Sequence, residues 1–146
     1  MQIGYFAVGI GPTVNPELVR SVATNAERLG FATIWAPEHV VLLEQYESKY
    51  PYSSGKFPGP ADTPIADPFT TLAYAAACTS RIRLGTGICL VPEHNPLVLA
   101  KTVPTVDRLS GGRFIFPPAT SLSSEAGFFD KRVESRSSKK RDRPAS

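Results

Sequence analysis

Cysteine is scarce in this chain, which has only Cys78 and Cys89 among its 146 residues. Neither belongs to a Cys-x-x-Cys pair or to a spacing typical of zinc ligands, and both lie among apolar residues. This pattern excludes a small domain held together by disulfides and favours two buried, reduced thiols. Reduced thiols in turn indicate the cytoplasm.

Long hydrophobic runs are also missing. A membrane-spanning helix needs about 18 or more consecutive apolar residues, and no segment approaches that length. The first residues, MQIGYFAVGIG, lack the basic region that opens a secretory signal peptide. We therefore expect a cytoplasmic protein that neither enters a membrane nor is secreted.

The common cofactor and metal motifs are absent as well. The sequence has no Gly-x-Gly-x-x-Gly turn between a strand and a helix, no Walker phosphate loop and no His-Glu-x-x-His helix. We expect no tightly held metal ion and no cofactor bound in the manner of a dinucleotide-binding fold.

The net positive charge of the chain is confined to its last residues. The formal net charge of +3 divides into +5 for residues 131–146 and −2 for residues 1–130. A basic tail is one hypothesis for nucleic-acid binding, which would depend steeply on salt. This tail has no aromatic residues for base stacking and no recognisable module. We therefore favour a solvated, disordered tail and expect no nucleic-acid partner.

Apolar strands alternate with amphipathic helices along the first 116 residues. Short apolar segments predict strands at 2–8, 31–37, 81–91 and 113–116. Three helices are predicted between them, each opened by an N-cap residue and a proline: Asn15-Pro16, Asp67-Pro68 and Asn95-Pro96. Pro104 is expected to kink or interrupt the third helix.

This repeated βα unit predicts an α/β fold in which helices cover a parallel sheet. We favour part of a (β/α)8 barrel, with a doubly wound sheet as the alternative. A complete barrel needs about 250 residues, whereas this chain reaches only its fourth strand by residue 116. The prediction is the N-terminal half of a barrel at 1–116, with about four strands and three helices, followed by a disordered basic tail at 117–146.

A long connection follows the second predicted strand. Residues 40–66 exceed the roughly 12 to 15 residues beyond which structureless loops are uncommon. They lie on the C-terminal face of the sheet, where barrel enzymes build their sites. Tyr46, Tyr50, Tyr52 and Phe57 are candidates for a lid over a flat ring. A packed loop that buries its own aromatic side chains is an equally good interpretation.

Three segments carry a resemblance to a known family: FATIWAPEHVV, RIRLGTGICLVPEHNPLVLAK and DRLSGGRFIF. In this order, within residues 1–116, they resemble the luciferase-like monooxygenase superfamily, and more narrowly its oxidoreductases that use the deazaflavin coenzyme F420. The resemblance implies a (β/α) barrel with F420, or alternatively FMN, at its C-terminal mouth. It also implies hydride transfer between the cofactor ring and a small organic substrate.

The same resemblance identifies five site residues. Glu38 and His39 follow the second strand, where related deazaflavin enzymes carry an acidic residue and a histidine that face the ring. We predict them as the catalytic pair, and alanine at His39 should abolish turnover in an intact enzyme. Thr86, Gly87 and Ile88 are predicted to contact the cofactor, with a cis peptide bond between Gly87 and Ile88.

His94 lies in the segment PEHNPL, just before the third predicted helix. Contact with phosphate or substrate is one interpretation of this residue. We favour a solvated residue at the helix entry, with Asn95 acting as the cap.

The fourth strand is predicted to stop at Pro117 and Pro118, which cannot donate hydrogen bonds to a neighbouring strand. In the family this strand continues into a glycine-rich stretch and four more units follow. We therefore expect a truncated chain with little or no activity, and a shifted reading frame near Pro117 is our hypothesis. The alternative is a non-catalytic half barrel that binds a partner, or that forms homo-oligomers or aggregates through exposed sheet edges.

Overall fold

The computed structural model describes residues 2–40, 42, 44 and 59–119. Strands and helices alternate along these residues, as the sequence predicts. The elements are β1 (Gly4–Phe6), α1 (Pro16–Arg28), β2 (Thr33–Ala36), α2 (Pro68–Cys78), β3 (Arg83–Thr86), β4 (Cys89–Leu90), α3 (Pro96–Leu109), β5 (Phe114–Ile115) and β6 (Pro118–Ala119).

Four strands form one parallel sheet in the order β1-β2-β3-β5. This order follows the chain, as in a (β/α) barrel, whereas a doubly wound sheet places its first strand inside the sheet. The strands β4 and β6 form a second, two-stranded parallel pair. The predicted α/β class, with four parallel strands and three helices arranged as in part of a barrel, is confirmed.

The helices begin where the sequence predicts. Asn15 and Asn95 each accept hydrogen bonds from two backbone N–H groups in the first turn of their helix, Asp67 accepts one from Thr70, and a proline follows each cap. Pro104 does not interrupt α3, which runs continuously from Pro96 to Leu109. Of the two expected effects the interruption does not occur, because Pro104 lies on the exposed side of α3, where solvent compensates for the backbone bond that proline removes; the kink stays a prediction.

Helices cover one face of the sheet. Alternate residues of a strand point to opposite faces, and Ile34 and Leu84 point toward the helices. Both are fully buried in a cluster with residues of α1 and α2, among them Ala23 and Leu72. A second cluster joins α2, α3 and β4, and its buried members are Phe69, Cys89, Leu99 and Val106.

The other face of the sheet carries two aromatic rings that lie on glycines. A Cβ atom placed on Gly85 would come 2.3 Å from the ring of Trp35, and one on Gly4 would come 2.7 Å from it. The ring of Phe6 lies over Gly87 in the same way: a Cβ atom placed on Gly87 would come 2.5 Å from it. Phe6 is itself 56% exposed. Only glycine lets these rings approach the backbone so closely.

The third and fourth predicted strands are each divided. Residues 81–91 form β3 and β4, which are separated by Gly87 and Ile88. The fourth strand ends at Ile115, consistent with a stop before Pro117, but pairing resumes at Pro118, which lies opposite Cys89. Both strands of a two-stranded sheet are edges, and edge strands tolerate proline. The predicted boundary between residues 116 and 117 stays a prediction.

The end of the long connection after β2 is fixed beside the turn that follows β1. Ile65 forms an antiparallel bridge with Ile10, and the N–H of Ala66 donates to the carbonyl of Gly9 at 2.9 Å. The lid candidates Tyr46, Tyr50, Tyr52 and Phe57 and the tail beyond residue 119 lie outside the described residues. In the described ranges, no helix combines the length and apolar character required to cross a bilayer.

Glu27 connects the last turn of α1 to the loop between α2 and β3. Its carboxylate accepts hydrogen bonds from the backbone N–H groups of Ser80, Arg81 and Ile82 at 3.0, 2.6 and 2.9 Å. Burial raises the pKa of this carboxyl group, but the three hydrogen bonds and the charge of Arg81 outweigh it. The pKa of Glu27 therefore falls from its ordinary value of 4.5 to about 2.

Arg113 joins the ends of α2 and α3 at the start of β5. Its guanidinium donates to the carbonyls of Ala76, Thr79, Ile82 and Ser110 and to the hydroxyl of Thr79, over 2.6 to 3.2 Å. Two of these carbonyls lie at the C-terminal end of α2, where the helix dipole favours a positive charge. The planar fork of arginine suits this arrangement, which the point charge of lysine does not reproduce.

Candidate active site

The predicted catalytic pair lies just beyond the C-terminal end of β2. Ala36 ends the strand, and Glu38 and His39 follow after Pro37. The side chain of Glu38 is only 4% exposed, and His39 is half-buried. This end of a parallel sheet is where barrel folds place catalytic residues.

Contacts from β4 and from the segment before α3 hold the Glu38 carboxylate. Oε2 accepts the backbone N–H of Leu90 at 2.6 Å, and Oε1 lies 2.7 Å from Nε2 of His94. The His94 ring also packs edge-on against Phe69, with ring centroids 5.9 Å apart. The prediction that His94 is a solvated residue was wrong, because a buried carboxylate requires a hydrogen-bonding partner and His94 provides it.

Cys89 completes a cluster with these two side chains. A carboxylate oxygen of Glu38, Sγ of Cys89 and a ring nitrogen of His94 all lie within 4.8 Å of one another. Both cysteines are free thiols; Cys89 is buried as predicted, and Cys78 is half-buried. Burial raises the pKa of Cys89 to about 12, and the negative charge of Glu38 and a hydrogen bond with it act in the same direction.

Sequence reasoning missed this cluster because its members are distant along the chain. Glu38 follows β2. Cys89 lies in β4 and His94 follows β4, both more than fifty residues later in the chain. One signal was available: β2 and the strand containing Cys89 were predicted as parallel neighbours. The residues that follow the C-terminal ends of neighbouring parallel strands meet at one edge of the sheet.

His39 differs from Glu38 in its surroundings. Burial lowers the pKa of the His39 imidazole below its ordinary value, and the charges of Glu93 and Glu38 partly oppose this effect. At neutral pH the imidazole is therefore mostly neutral, which is the form that accepts a proton.

The predicted cofactor-binding segment adjoins this pair. Thr86 lies opposite Ala36 in the sheet and is fully buried. Within the described part of the chain its hydroxyl oxygen has no hydrogen-bond partner. The N–H of Gly87 donates to the carbonyl of Ala36 at 2.8 Å. The structure thus brings Thr86 and Gly87 to the end of β2 where Glu38 and His39 begin.

The cis peptide bond predicted between Gly87 and Ile88 is not present. Every peptide bond in residues 2–40 and 59–119 is trans. A trans bond is favoured by about 3 to 4 kcal/mol when the second residue is not proline. The prediction was wrong because the break between β3 and β4 is made with trans bonds on both sides of Gly87.

Comparison with known sequences identifies relatives over most of the chain. The family model described as luciferase-like monooxygenase matches residues 1–129. An uncharacterised protein of Mycobacterium tuberculosis is 38% identical over 94 residues, which cover 64% of this chain and 33% of that protein. The 5,10-methylenetetrahydromethanopterin reductase of Methanopyrus kandleri is 28% identical over 110 residues, 75% of this chain and 25% of the reductase. This chain thus spans a third or less of the length of these relatives.

Solved structures share the same fold. The coenzyme F420 dependent tetrahydromethanopterin reductase from Methanopyrus kandleri superposes with a TM-score of 0.56 at 24% identity, over 80% of this chain and 26% of its own. The oxygenating constituent of 3,6-diketocamphane monooxygenase from Pseudomonas putida, in complex with FMN, gives a TM-score of 0.59 at 16% identity. This superposition covers 88% of this chain and 32% of the monooxygenase chain. Together with the family model, which covers most of its length, these findings show that the chain belongs to the luciferase-like monooxygenase family.

Proposed function

We propose that this chain supplies the N-terminal part of an oxidoreductase site that transfers hydride between F420, or alternatively FMN, and a small organic substrate. Family membership carries this proposal, and the position of Glu38 and His39 at the end of β2 supports it. Both cofactors are included because the similar structures comprise a coenzyme F420 dependent reductase and an FMN complex.

The residues at the ends of β2 and β3 fit a flat ring. The ring of Phe6 lies over Gly87 and is 56% exposed, so it presents a flat apolar surface, and Thr86 offers a buried hydroxyl without another partner in the described residues. Ile88, which follows Gly87, is half-buried and supplies an apolar side chain beside them. When bound, a deazaflavin or flavin ring would carry the hydride.

His39 and Glu38 have different roles in this proposal. His39 gives or takes a proton at its ring nitrogen as the charge on the reacting groups changes. Glu38 is buried and bonded to Leu90 and His94, so it acts through its negative charge and its position beside His39. Because the chain spans 33% of the mycobacterial relative and later barrel loops commonly bind phosphate, we propose that turnover by this polypeptide alone is low.

Cofactor binding tests the proposal directly. We expect the chain to bind F420 or FMN with a Kd below about 1 mM, and His39→Ala to weaken binding by about fivefold to tenfold, the effect of one lost contact. Binding is measured by equilibrium dialysis and by quenching of Trp35, the only tryptophan. Thr24→Ala, exposed on α1, is the matched control. The proposal fails if the folded chain binds neither cofactor, or if His39→Ala binds as well as the parent chain.

A second candidate function is self-association through the sheet edges. In the part of the chain that the structure describes, β1 and β5 each pair with one neighbour in the sheet. Ile3, which precedes β1, is 54% exposed, and Phe6, the last residue of β1, is 56% exposed. Unpaired strand edges flanked by apolar side chains template the addition of another strand.

We expect the chain to self-associate at concentrations of about 10 to 100 µM, where exposed edges promote association. Size-exclusion chromatography with light scattering measures the mass at each concentration. Ile3→Lys should reduce association because a lysine beside the edge opposes strand pairing. Leu97→Lys, at an 81% exposed position on α3, is the matched control and should leave it unchanged. A monomer at every concentration, or equal effects of the two lysines, contradicts the prediction.

A further inference from the structure

Three different metal-binding groups meet where the end of β2, the strand β4 and the segment before α3 approach one another. Glu38, Cys89 and His94 each offer one donor atom, all within 4.8 Å of one another. Zn²⁺ binds this mixture of oxygen, sulfur and nitrogen, with bonds of about 2.0 to 2.3 Å in a tetrahedral arrangement. Such bonds place the donor atoms about 3.3 to 3.8 Å apart. The cluster therefore needs shifts of only about 1 Å to reach that geometry.

We propose that Glu38, Cys89 and His94 bind a divalent transition metal ion, with Zn²⁺ the cation that this donor set suits. The inference rests on the chemistry and burial of these three side chains and would stand if the proposed hydride transfer failed; the two proposals share Glu38, whose charge a bound cation would balance. Neither family membership nor the identity of the flavin or deazaflavin enters the argument.

The charge of Glu38 supports a cation at this position. Its side chain is 4% exposed, and its only ion-pair partner among the described residues is His94, which is charged only when protonated. A buried carboxylate without a compensating charge is costly. A carboxylate and a thiolate together balance the two positive charges of Zn²⁺, and neutral His94 adds a third ligand. The resulting cluster is electrically neutral, as a buried site requires.

Cys89 enters the metal site as a thiolate. In the absence of metal a thiol keeps its proton at neutral pH, since its ordinary pKa is about 8.5. Coordination replaces the S–H bond by a sulfur–metal bond, and one proton leaves for solvent. No electron transfer is involved, so the step needs no oxidant or reductant.

Neighbouring groups already orient two of the ligands. The N–H of Leu90 donates to Oε2 of Glu38, which leaves Oε1, the atom that faces His94, to coordinate. Phe69 packs edge-on against the His94 ring and fixes its plane. Contacts of this kind tune metal affinity in known sites. Three protein ligands leave a fourth position for water or substrate, and His94, with its side chain 23% exposed, marks the solvent side.

Titration with Co²⁺, a spectroscopic substitute for Zn²⁺, tests the site. The full 146-residue chain is freed of metal by dialysis against a chelator, kept reduced, and titrated with Co²⁺. A bound thiolate produces a charge-transfer absorption in the near ultraviolet. We expect this absorption to saturate at one equivalent, with release of about one proton, and to disappear when Zn²⁺ displaces the Co²⁺.

The two cysteines of the chain provide a matched pair of variants. We expect Cys89→Ala to abolish the charge-transfer absorption and Cys78→Ala to retain it. His94→Ala should keep the fold, because His94 is partly exposed, and should weaken Co²⁺ binding by about 100-fold or more, beyond the effect of losing an outer-shell contact. Circular dichroism verifies that each variant is folded. The proposal is overturned if no charge-transfer absorption develops, if it survives Cys89→Ala, or if His94→Ala binds Co²⁺ with unchanged affinity.

Discussion

Replacing Arg113 with methionine is expected to lower the free energy of unfolding by about 3 kcal/mol or more. Methionine keeps most of the aliphatic stem but removes five hydrogen bonds to four carbonyls and one hydroxyl. Hydrogen bonds that involve a charged group each contribute about 1.5 to 3 kcal/mol, and contributions within one network do not add fully. The loss releases the ends of α2 and α3 from the start of β5 at the same time.

Urea unfolding followed by the fluorescence of Trp35 measures this effect. With a typical dependence of about 1 to 3 kcal/mol per molar urea, the midpoint should fall by at least about 1 M. Arg108→Met is the matched control, since Arg108 is exposed on the last turn of α3, and its effect should stay within about 0.5 kcal/mol. Equal midpoints for Arg113→Met and the parent chain would show that this network does not stabilise the fold. The urea midpoint of Arg113→Lys should lie between those of Arg113→Met and the parent chain, because lysine keeps the positive charge but lacks the planar guanidinium.

Glu27→Gln is expected to lower stability at neutral pH by about 1 to 2 kcal/mol and to remove one component of the pH dependence. The folded pKa of about 2 lies below the ordinary value of 4.5, so the carboxylate stabilises the fold fully above about pH 4.5. That stabilisation is lost as the pH falls from 4.5 to 2, where the folded protein also takes up the proton. The expected loss of stability is smaller than the pKa shift alone implies, because solvent screens the charge of this partly exposed carboxylate.

Stability measured at several pH values between 2 and 7 separates Glu27 from other acidic groups. The difference between the parent chain and Glu27→Gln should be largest at pH 7 and should shrink toward zero near pH 2. Glu17→Gln is the control, since Glu17 is exposed in the first turn of α1. A constant difference at every pH would mean that the variant acts through packing and that the carboxylate charge has no part in it.

The helices were predictable from the sequence because their signals are local. An asparagine or aspartate followed by proline defines the start of each helix wherever the rest of the chain lies. Burial was less predictable, because it depends on which elements cover a side chain. Leu18 in the first turn of α1 and Leu29, which follows its last residue, are large and apolar, yet they are 43% and 64% exposed. Strand ends depend on pairing in the same way, and the division of residues 81–91 at Gly87 has no local signal beyond the glycine itself.

The candidate site was predictable only in part. The position of Glu38 and His39 after β2 follows from the strand and its proline, and the resemblance to a family gave them a role. The order of the strands indicates that Glu38 and His94 lie at the same edge of the sheet, but their hydrogen bond was not predictable, since each residue has an adequate local interpretation on its own. The contacts of Glu27 and Arg113 are likewise set by tertiary structure. Both side chains bind mainly backbone atoms, which nearly every residue has, so the sequence does not indicate which of them form these contacts.

The two rings that lie on glycines have a consequence for how this sequence can evolve. Trp35 fills the space above Gly4 and Gly85, so a side chain can appear at either glycine only if the residue at position 35 becomes smaller or turns away. Positions 4, 35 and 85, far apart in the chain, are thus subject to joint selection. We expect selection to remove single substitutions at the two glycines and to tolerate pairs in which position 35 changes as well. We therefore expect replacements on this face of the sheet to occur together, with a smaller residue at position 35 permitting alanine at position 4 or 85.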